Sequence, residues 1–149
     1  IYPGPETPAR LHAPGVAEVK FNIETATPAL FSEMCPGLSW EAVWEALRQS
    51  VPLFGRGRVY SNVIVGLGET DEDLERVIEG LAGIGVIPIL RPLTPAASLA
   101  GRPRPSADRM LRLYDIHERI LRQAGLDPGR ALTMCAACTG CDLVPGRDA

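Results

Sequence analysis

At 149 residues the chain has the length of one domain or part of one, and its hydrophobic share of 46% is enough to bury a core. A net charge of −3 gives no general attraction for nucleic acid, and no apolar run reaches the roughly 18 residues of a membrane helix. We therefore expect neither nucleic acid nor a membrane among its partners.

The opening segment, residues 1–15, contains four prolines and predicts a loop, because proline fixes φ and removes a backbone donor. The chain starts at Ile1 and not at a methionine, so we expect this loop to come from a longer parent chain. The start lacks the charged and then apolar pattern of a secretory leader, and three of the four cysteines are clustered. This pattern favours a reducing, cytoplasmic location.

The first half of the chain then predicts a strand, a loop and a helix. Apolar and polar residues alternate over 17–25, which is typical of a strand. Residues 26–38 predict a loop that contains two prolines and a glycine. Ser39 is a good N-cap for an amphipathic helix over about 40–50, which Pro52 should end.

The second half predicts two further strands and two further helices. Residues 58–65 are β-branched and apolar, and Thr70 begins a capping-box pattern for the helix that follows. Residues 86–90 form an apolar run typical of a strand buried on both faces. A loop and then a long helix from Ser106 to Gly125 complete the pattern.

This β-α-β-α-β-α order predicts an α/β fold with a parallel sheet and right-handed crossovers. Three βα units correspond to half of a barrel or half of a doubly wound sheet. In either case functional groups gather at the carboxyl ends of the strands. Those ends carry Asn22 and Glu24, the segment 64–69, and Arg91. Arg91 requires an anion, either from a bound molecule or from Glu24.

The tail holds the strongest chemical signal, the run Cys135-x-x-Cys138-x-x-Cys141. Two-residue spacers let thiolates converge on one centre, so the run indicates an iron–sulfur cluster, structural zinc or, least of all, unligated thiols. Both metals usually take four ligands. Cys35 is the candidate for the fourth, because we expect its loop to lie at the same mouth as the tail. The alternative is that Cys35 is an ordinary loop cysteine and that the site has an open iron or a non-cysteine ligand.

The strand ends together resemble the C-terminal half of radical SAM enzymes, in the biotin synthase and lipoyl synthase branch. Residues 21–25 resemble the Asn-x-Asp/Glu-Thr motif of the fourth strand, and 87–92 resemble the sixth strand. Residues 62–70 resemble the GxIxGxxE motif of the fifth strand, with Asn62 in place of the first glycine.

This resemblance implies three βα units over residues 16–125 that form half of a (β/α)6 partial TIM barrel. A C-terminal cysteine-rich tail over 126–149 would then carry an auxiliary cluster, which we expect to be of the 4Fe-4S type. The CxxxCxxC loop that holds the radical-generating 4Fe-4S cluster is absent from this sequence. We expect that cluster in the N-terminal half of the parent, so this chain alone should be inactive.

The resemblance also assigns a cofactor, S-adenosylmethionine. Asn22 and Glu24 match positions that bind its ribose, and Ile64 and Gly66 match positions that line its adenine. Arg91 could pair with a carboxylate of the cofactor or of the substrate, and a salt bridge within the protein is the equal alternative. Asn22 and Glu24 could instead be a strand-end pair that caps loops.

The parent enzyme would cleave S-adenosylmethionine reductively and abstract a substrate hydrogen. The auxiliary cluster would donate sulfur in a lipoyl-synthase-like reaction, or would serve as an electron conduit or a substrate anchor. The implied partners are a reducing protein of the ferredoxin or flavodoxin type and a substrate that is a small molecule or is bound to a carrier protein. The alternative function is a non-catalytic zinc- or iron–sulfur-binding module on an α/β scaffold.

Overall fold

The computed structural model describes residues 3–132, 137–138 and 144–146. Over these residues helices and strands alternate along most of the chain. The helices are α1 (Thr7–His12), α2 (Pro28–Met34), α3 (Trp40–Phe54), α4 (Asp71–Ile84) and α5 (Ala107–Ala124). The strands are β1 (Val19–Lys20), β2 (Val59–Val65) and β3 (Val86–Pro92), and 3₁₀ turns cover Ala97–Leu99 and Pro128–Arg130. Among the described helices, none combines the length and the apolar character needed to cross a bilayer.

The three strands form a parallel sheet in the order β1-β2-β3, so the predicted α/β class and parallel pairing are confirmed. β2 and β3 pair over their whole length, from Val59 opposite Val86 to Val65 opposite Pro92. β1 pairs with β2 for only two residues, and an isolated bridge then joins Glu24 to Val63. Closure of these strands into part of a barrel remains a prediction.

The capping signals read from the sequence are confirmed. The Thr70 side chain accepts a hydrogen bond from the Asp73 backbone N–H at 3.1 Å, and the Asp73 carboxylate accepts one from the Thr70 N–H at 3.0 Å. The Ser106 side chain caps α5 by accepting from the Arg109 N–H at 3.2 Å, and Gly125 ends that helix in the left-handed conformation. Gly85 ends α4, at a φ of 94° that favours glycine.

Two predicted loops contain helices. α1 lies within residues 1–15 and α2 lies within residues 26–38. In each helix a proline occupies the first turn, where its missing N–H would have had no partner in any case. Thr27 also caps α2 by accepting from the Leu30 N–H. Prolines that predicted loops therefore mark the starts of short helices.

Pro52 does not end α3 as predicted, because the helix continues through it to Phe54. A proline two residues from the end removes a single hydrogen bond of the ladder, and the helix closes where the Gly55 N–H reaches the Val51 carbonyl at 2.8 Å. Gly83 and Gly85 both predict the end of the helix that begins after Thr70, but Gly83 lies inside α4 and Gly85 ends it. The predicted strand over 17–25 is also shorter, since β1 covers only Val19–Lys20.

His117 lies in the core, as its place on the apolar face of α5 predicts. The side chain is 1% exposed, and neither ring nitrogen has a hydrogen-bond partner within the described part of the chain. Burial lowers the pKa of His117 to about 3, a shift that a weak interaction with the Pro88 backbone only partly opposes. The imidazole is therefore neutral over the physiological range.

A buried carboxylate ties the tail to the amino ends of the strands. One oxygen of Glu18, which is 6% exposed, accepts from Arg58 Nη1 at 2.7 Å, from Tyr60 Oη at 3.2 Å and from the Leu132 N–H at 2.9 Å. Arg58 also donates to the Arg130 carbonyl at 2.9 Å. Burial and the Glu18 charge raise the pKa of Tyr60, which keeps its hydroxyl a donor.

We expect Glu18→Ala to destabilise the fold by about 2–4 kcal/mol, because it removes three hydrogen bonds and leaves Arg58 without its buried carboxylate. Urea unfolding followed by circular dichroism measures the change. Glu45→Ala is the matched control, since the exposed Glu45–Arg48 pair contributes about 0.5 kcal/mol or less. Equal losses in the two variants would contradict a role for Glu18 as an anchor.

Candidate cofactor site at the carboxyl ends of the strands

Glu24 adopts a backbone conformation that is unfavourable for a residue with a side chain. Its φ is +60°, and the Thr25 N–H bonds to the Ile23 carbonyl at 2.7 Å, which closes a tight turn centred on Glu24. β2 holds this geometry, because the Glu24 N–H donates to the Asn62 carbonyl and the Glu24 carbonyl accepts from the Ile64 N–H. Left-handed backbone costs a non-glycine residue about 1–2 kcal/mol.

Side chains replace the missing ladder where β1 separates from β2. The Asn22 Oδ1 accepts from the Asn62 N–H at 3.2 Å, and the Ser61 Oγ accepts from the Ile23 N–H at 2.9 Å. These bonds satisfy backbone donors that a regular strand would pair. The predicted strand over 17–25 is therefore broken after Lys20. The side-chain oxygen of Asn22 thus accepts from the backbone, and its side-chain NH₂ group donates to the Glu24 carboxylate.

The Glu24 carboxylate is half-buried in a polar setting. Burial raises its pKa above the ordinary value of 4.5, and the Asn22 amide, Lys20 and Arg91 act in the opposite direction. Lys20 also lies 3.4 Å from Asn62 Oδ1. Arg91, which is exposed, acts on the Glu24 pKa through its charge, and the anion that pairs with Arg91 stays a prediction.

A cavity of about 290 Å³ opens beside this carboxylate. Its lining includes Lys20, Asn22, Glu24, Phe31 and Cys35. Cys35 is half-buried, and burial together with the Glu24 charge raises the pKa of its thiol. The protein by itself therefore keeps Cys35 protonated. The structure brings Asn22, Glu24 and Cys35 to one cavity, and Arg91 acts on it electrostatically.

Ile64 and Gly66 lie at the end of β2 but outside the lining of that cavity. Ile64 is half-buried and lies opposite Arg91 in the sheet register. Gly66 has a φ of 109°, and a β-carbon added there would come within 3.1 Å of Pro105. Glycine at this position thus lets the loop before α5 approach the end of β2 closely.

Glu69 shapes the turn that follows β2. Its two carboxylate oxygens accept from the Gly66 N–H at 2.7 Å and the Leu67 N–H at 2.8 Å, and Arg109 Nη2 lies 3.1 Å from one of them. The side chain is buried and all of these contacts are within the protein. Glu69 therefore fixes the glycine turn and is not directed toward a ligand.

The cysteine tail is only partly within the described residues. Cys138 is exposed, whereas Cys135 and Cys141 lie outside the described ranges. Over the residues that the structure does describe, no three His, Cys, Asp or Glu side chains are placed to hold a metal. The predicted set of three thiolates thus stays a prediction from the spacing.

The start of the tail and Cys35 lie at opposite ends of the sheet. Leu132 is bound to Glu18 at the amino ends of the strands, and Cys35 lies beside Glu24 at the carboxyl ends. The nine residues from Leu132 to Cys141 can span about 30 Å at most, and seven residues of strand span about 23 Å. Cys35 is therefore within reach as a fourth ligand only if the tail runs along the sheet.

Two features of this end of the molecule were not predicted. Lys20 faces the same side as Asn22 and Glu24, which the two-residue period of a strand could have indicated. A group of arginines, Arg102, Arg104 and Arg109, surrounds the glycine turn after β2. From the sequence, Arg102 and Arg104 belong to a proline-rich loop. No local pattern predicted that α5 would place Arg109 beside that loop.

Comparison with known proteins adds no family assignment. No protein-family model matches the chain, and no curated protein matches it in sequence. The fold and the site define an α/β protein with a parallel sheet of three strands and a cluster of polar side chains at the carboxyl end of β1. The radical SAM resemblance remains a prediction from the motifs.

We expect Glu24→Gly to be more stable than Glu24→Ala by about 1 kcal/mol, because both lose the carboxylate but only glycine adopts a positive φ without strain. Urea unfolding of the two variants measures this difference. Glu79, exposed within α4, is the control position, where glycine should be less stable than alanine by about 1 kcal/mol. The same order at both positions would contradict strain at Glu24.

Proposed function

We propose that this chain is the C-terminal half-barrel of a radical SAM enzyme, which contributes to S-adenosylmethionine binding and carries an auxiliary 4Fe-4S cluster on its cysteine tail. The observation that supports this proposal most directly is the strained Glu24, held with Asn22 at the carboxyl end of β1. Glycine would fill a simple turn there without strain, so the presence of glutamate favours a role for its carboxylate.

The groups around Glu24 suit the polar parts of S-adenosylmethionine. A carboxylate can accept hydrogen bonds from both hydroxyls of a ribose, and the Asn22 amide can donate to one of them. Lys20 and Arg91 supply positive charge for the carboxylate of the amino-acid moiety. Ile64 would offer apolar contact to the adenine, and the Gly66 turn would let the ring approach the backbone.

The sheet supports a half-barrel arrangement. Its strands are parallel and adjacent in chain order, with α3 between β1 and β2 and α4 between β2 and β3. In barrels of this kind ligands bind at the carboxyl ends of the strands, and the Glu24 cluster lies at that end. The substrate and the reducing partner would act at the same face of the parent enzyme.

The tail residues suit an iron–sulfur cluster by their donor chemistry. Cys135, Cys138 and Cys141 would supply three thiolates, with Cys35, another group or an open iron completing the site. When bound, such a cluster supplies electrons or, in enzymes that insert sulfur, the sulfur itself. The role of this chain is to fix where the tail leaves the sheet, through the bond from Leu132 to Glu18.

S-adenosylmethionine titrated into the native chain by isothermal calorimetry should bind saturably. Glu24→Gln should weaken that binding by about tenfold or more, because charge-assisted hydrogen bonds are lost. The affinity should also fall as the pH is lowered, and the fall should begin at a higher pH than for an ordinary glutamate, because the raised pKa of Glu24 lets the carboxylate take up its proton earlier. Glu79→Gln is the matched control, and equal affinities for the two variants would contradict the assignment of Glu24.

Anaerobic reconstitution with iron and sulfide tests the tail. The native chain should become brown and hold iron and sulfide in equal amounts, and Cys135→Ala, Cys138→Ala and Cys141→Ala should each lose most of it. Retention in Cys35→Ala would identify an open iron or a non-cysteine ligand. A colourless chain that holds zinc would favour the non-catalytic module, and unchanged iron in all three tail variants would contradict a cluster.

A further inference from the structure

A second cavity, also of about 290 Å³, lies at the carboxyl end of β2 and is lined by arginine, glycine and proline. The lining residues are Gly66, Gly68, Arg102, Pro103, Arg104, Pro105 and Arg109. Among the residues that the structure describes, no carboxylate belongs to this lining, and none of the lining residues also lines the cavity beside Glu24. We name this second cavity the arginine groove. It therefore presents guanidinium groups and backbone to any molecule that enters.

Two of the arginines are fixed by contacts behind the groove. Arg102 donates to the Leu67 carbonyl and to Glu33 Oε1, the latter at 2.9 Å. Arg109 Nε lies 2.7 Å from an Asp71 oxygen, and its Nη2 bonds to Glu69. These contacts hold both guanidinium planes in place, so little side-chain entropy remains to be lost on binding.

Arg104 differs from its neighbours, because the described part of the chain offers it no hydrogen-bond or ion-pair partner. It is exposed and lies between Pro103 and Pro105, whose rings restrict the backbone on both sides. A cation held on a stiff segment at the edge of a groove is available to an external anion at low conformational cost.

The floor of the arginine groove is bare backbone. Gly66 and Gly68 have φ values of 109° and 116°, and a β-carbon on Gly68 would lie 3.6 Å from Arg102 Nη1. At Gly68 a small ligand can therefore reach the peptide backbone and the Arg102 guanidinium together, whereas at Gly66 the space is taken by Pro105. α4 and α5 both begin beside this turn, and each carries at least one carboxylate in its first turn.

We propose that the arginine groove binds an oxyanion, the phosphate or carboxylate group of a small-molecule ligand, with Arg104 in direct contact and Arg102 and Arg109 as fixed walls. Guanidinium groups bind both kinds of oxyanion through paired N–H donors. The groove has room for one such group. This site shares the Gly66 turn with the one proposed for S-adenosylmethionine but has its own cavity and its own charged side chains, and its test contains neither that cofactor nor iron.

The experiment titrates inorganic phosphate and, separately, succinate into the ¹⁵N-labelled full chain, with chloride holding the ionic strength constant. The amide signals of Gly66 and Gly68 should shift saturably with at least one of the two anions. Arg104→Gln should weaken this binding by about tenfold, and Arg104→Lys should retain part of it through its charge. Arg122→Gln is the control, since Arg122 is exposed near the end of α5 and pairs with Glu118.

The pattern of outcomes decides the proposal. Saturation with phosphate alone or succinate alone supports it and assigns the class of ligand, and saturation with both assigns an oxyanion groove of broad specificity. Shifts that stay linear with both anions overturn it, as does equal affinity in the native chain and in Arg104→Gln. Because Arg104 is exposed, its variants should keep the native circular dichroism spectrum, which is recorded alongside.

Discussion

The buried carboxylate of Glu18 is the charge on which the arrangement of sheet and tail depends. One of its oxygens receives donors from Arg58, from Tyr60 and from the backbone of Leu132, residues far apart in the chain. A carboxylate removed from water is stable only with such partners, so the start of β1, the start of β2 and the tail must meet at one point. The described tail at Leu132 is thereby fixed to the amino ends of the strands.

The two ends of the sheet differ in the kind of polar group that they carry. At the amino ends, Glu18 accepts hydrogen bonds from Arg58, Tyr60 and Leu132 of the same chain. At the carboxyl ends, Glu24 has a strained backbone and a raised pKa, and Arg104 projects into a groove. The same division is general in parallel α/β folds, in which the carboxyl ends of the strands bind ligands. Both proposed sites therefore lie at the end where the fold tolerates unsatisfied or strained groups.

Local signals in the sequence predicted most of the elements. The capping box at Thr70, the N-cap at Ser106 and the apolar runs of β2 and β3 each act within a few residues, so they can be read without the fold. The helices α1 and α2 were missed because prolines in a first helical turn resemble loop prolines. The identity of Asn22 and Glu24 as candidate residues came from motif resemblance and from their place at a strand end.

What the sequence could not provide depends on contacts between distant segments. The break in β1 depends on Asn22 and Ser61 replacing ladder bonds across 40 and 38 residues respectively. The convergence of Arg102 and Arg109 on the glycine turn likewise requires the loop before α5 to pack against β2.

The burial of His117 makes the stability of the fold depend on pH. A folded chain keeps its ring neutral down to about pH 3, whereas an unfolded chain protonates it near 6.5. Between these pH values the unfolded chain binds one more proton than the folded chain. The free energy of unfolding therefore decreases as the pH falls, because His117 of α5 must become neutral to be buried.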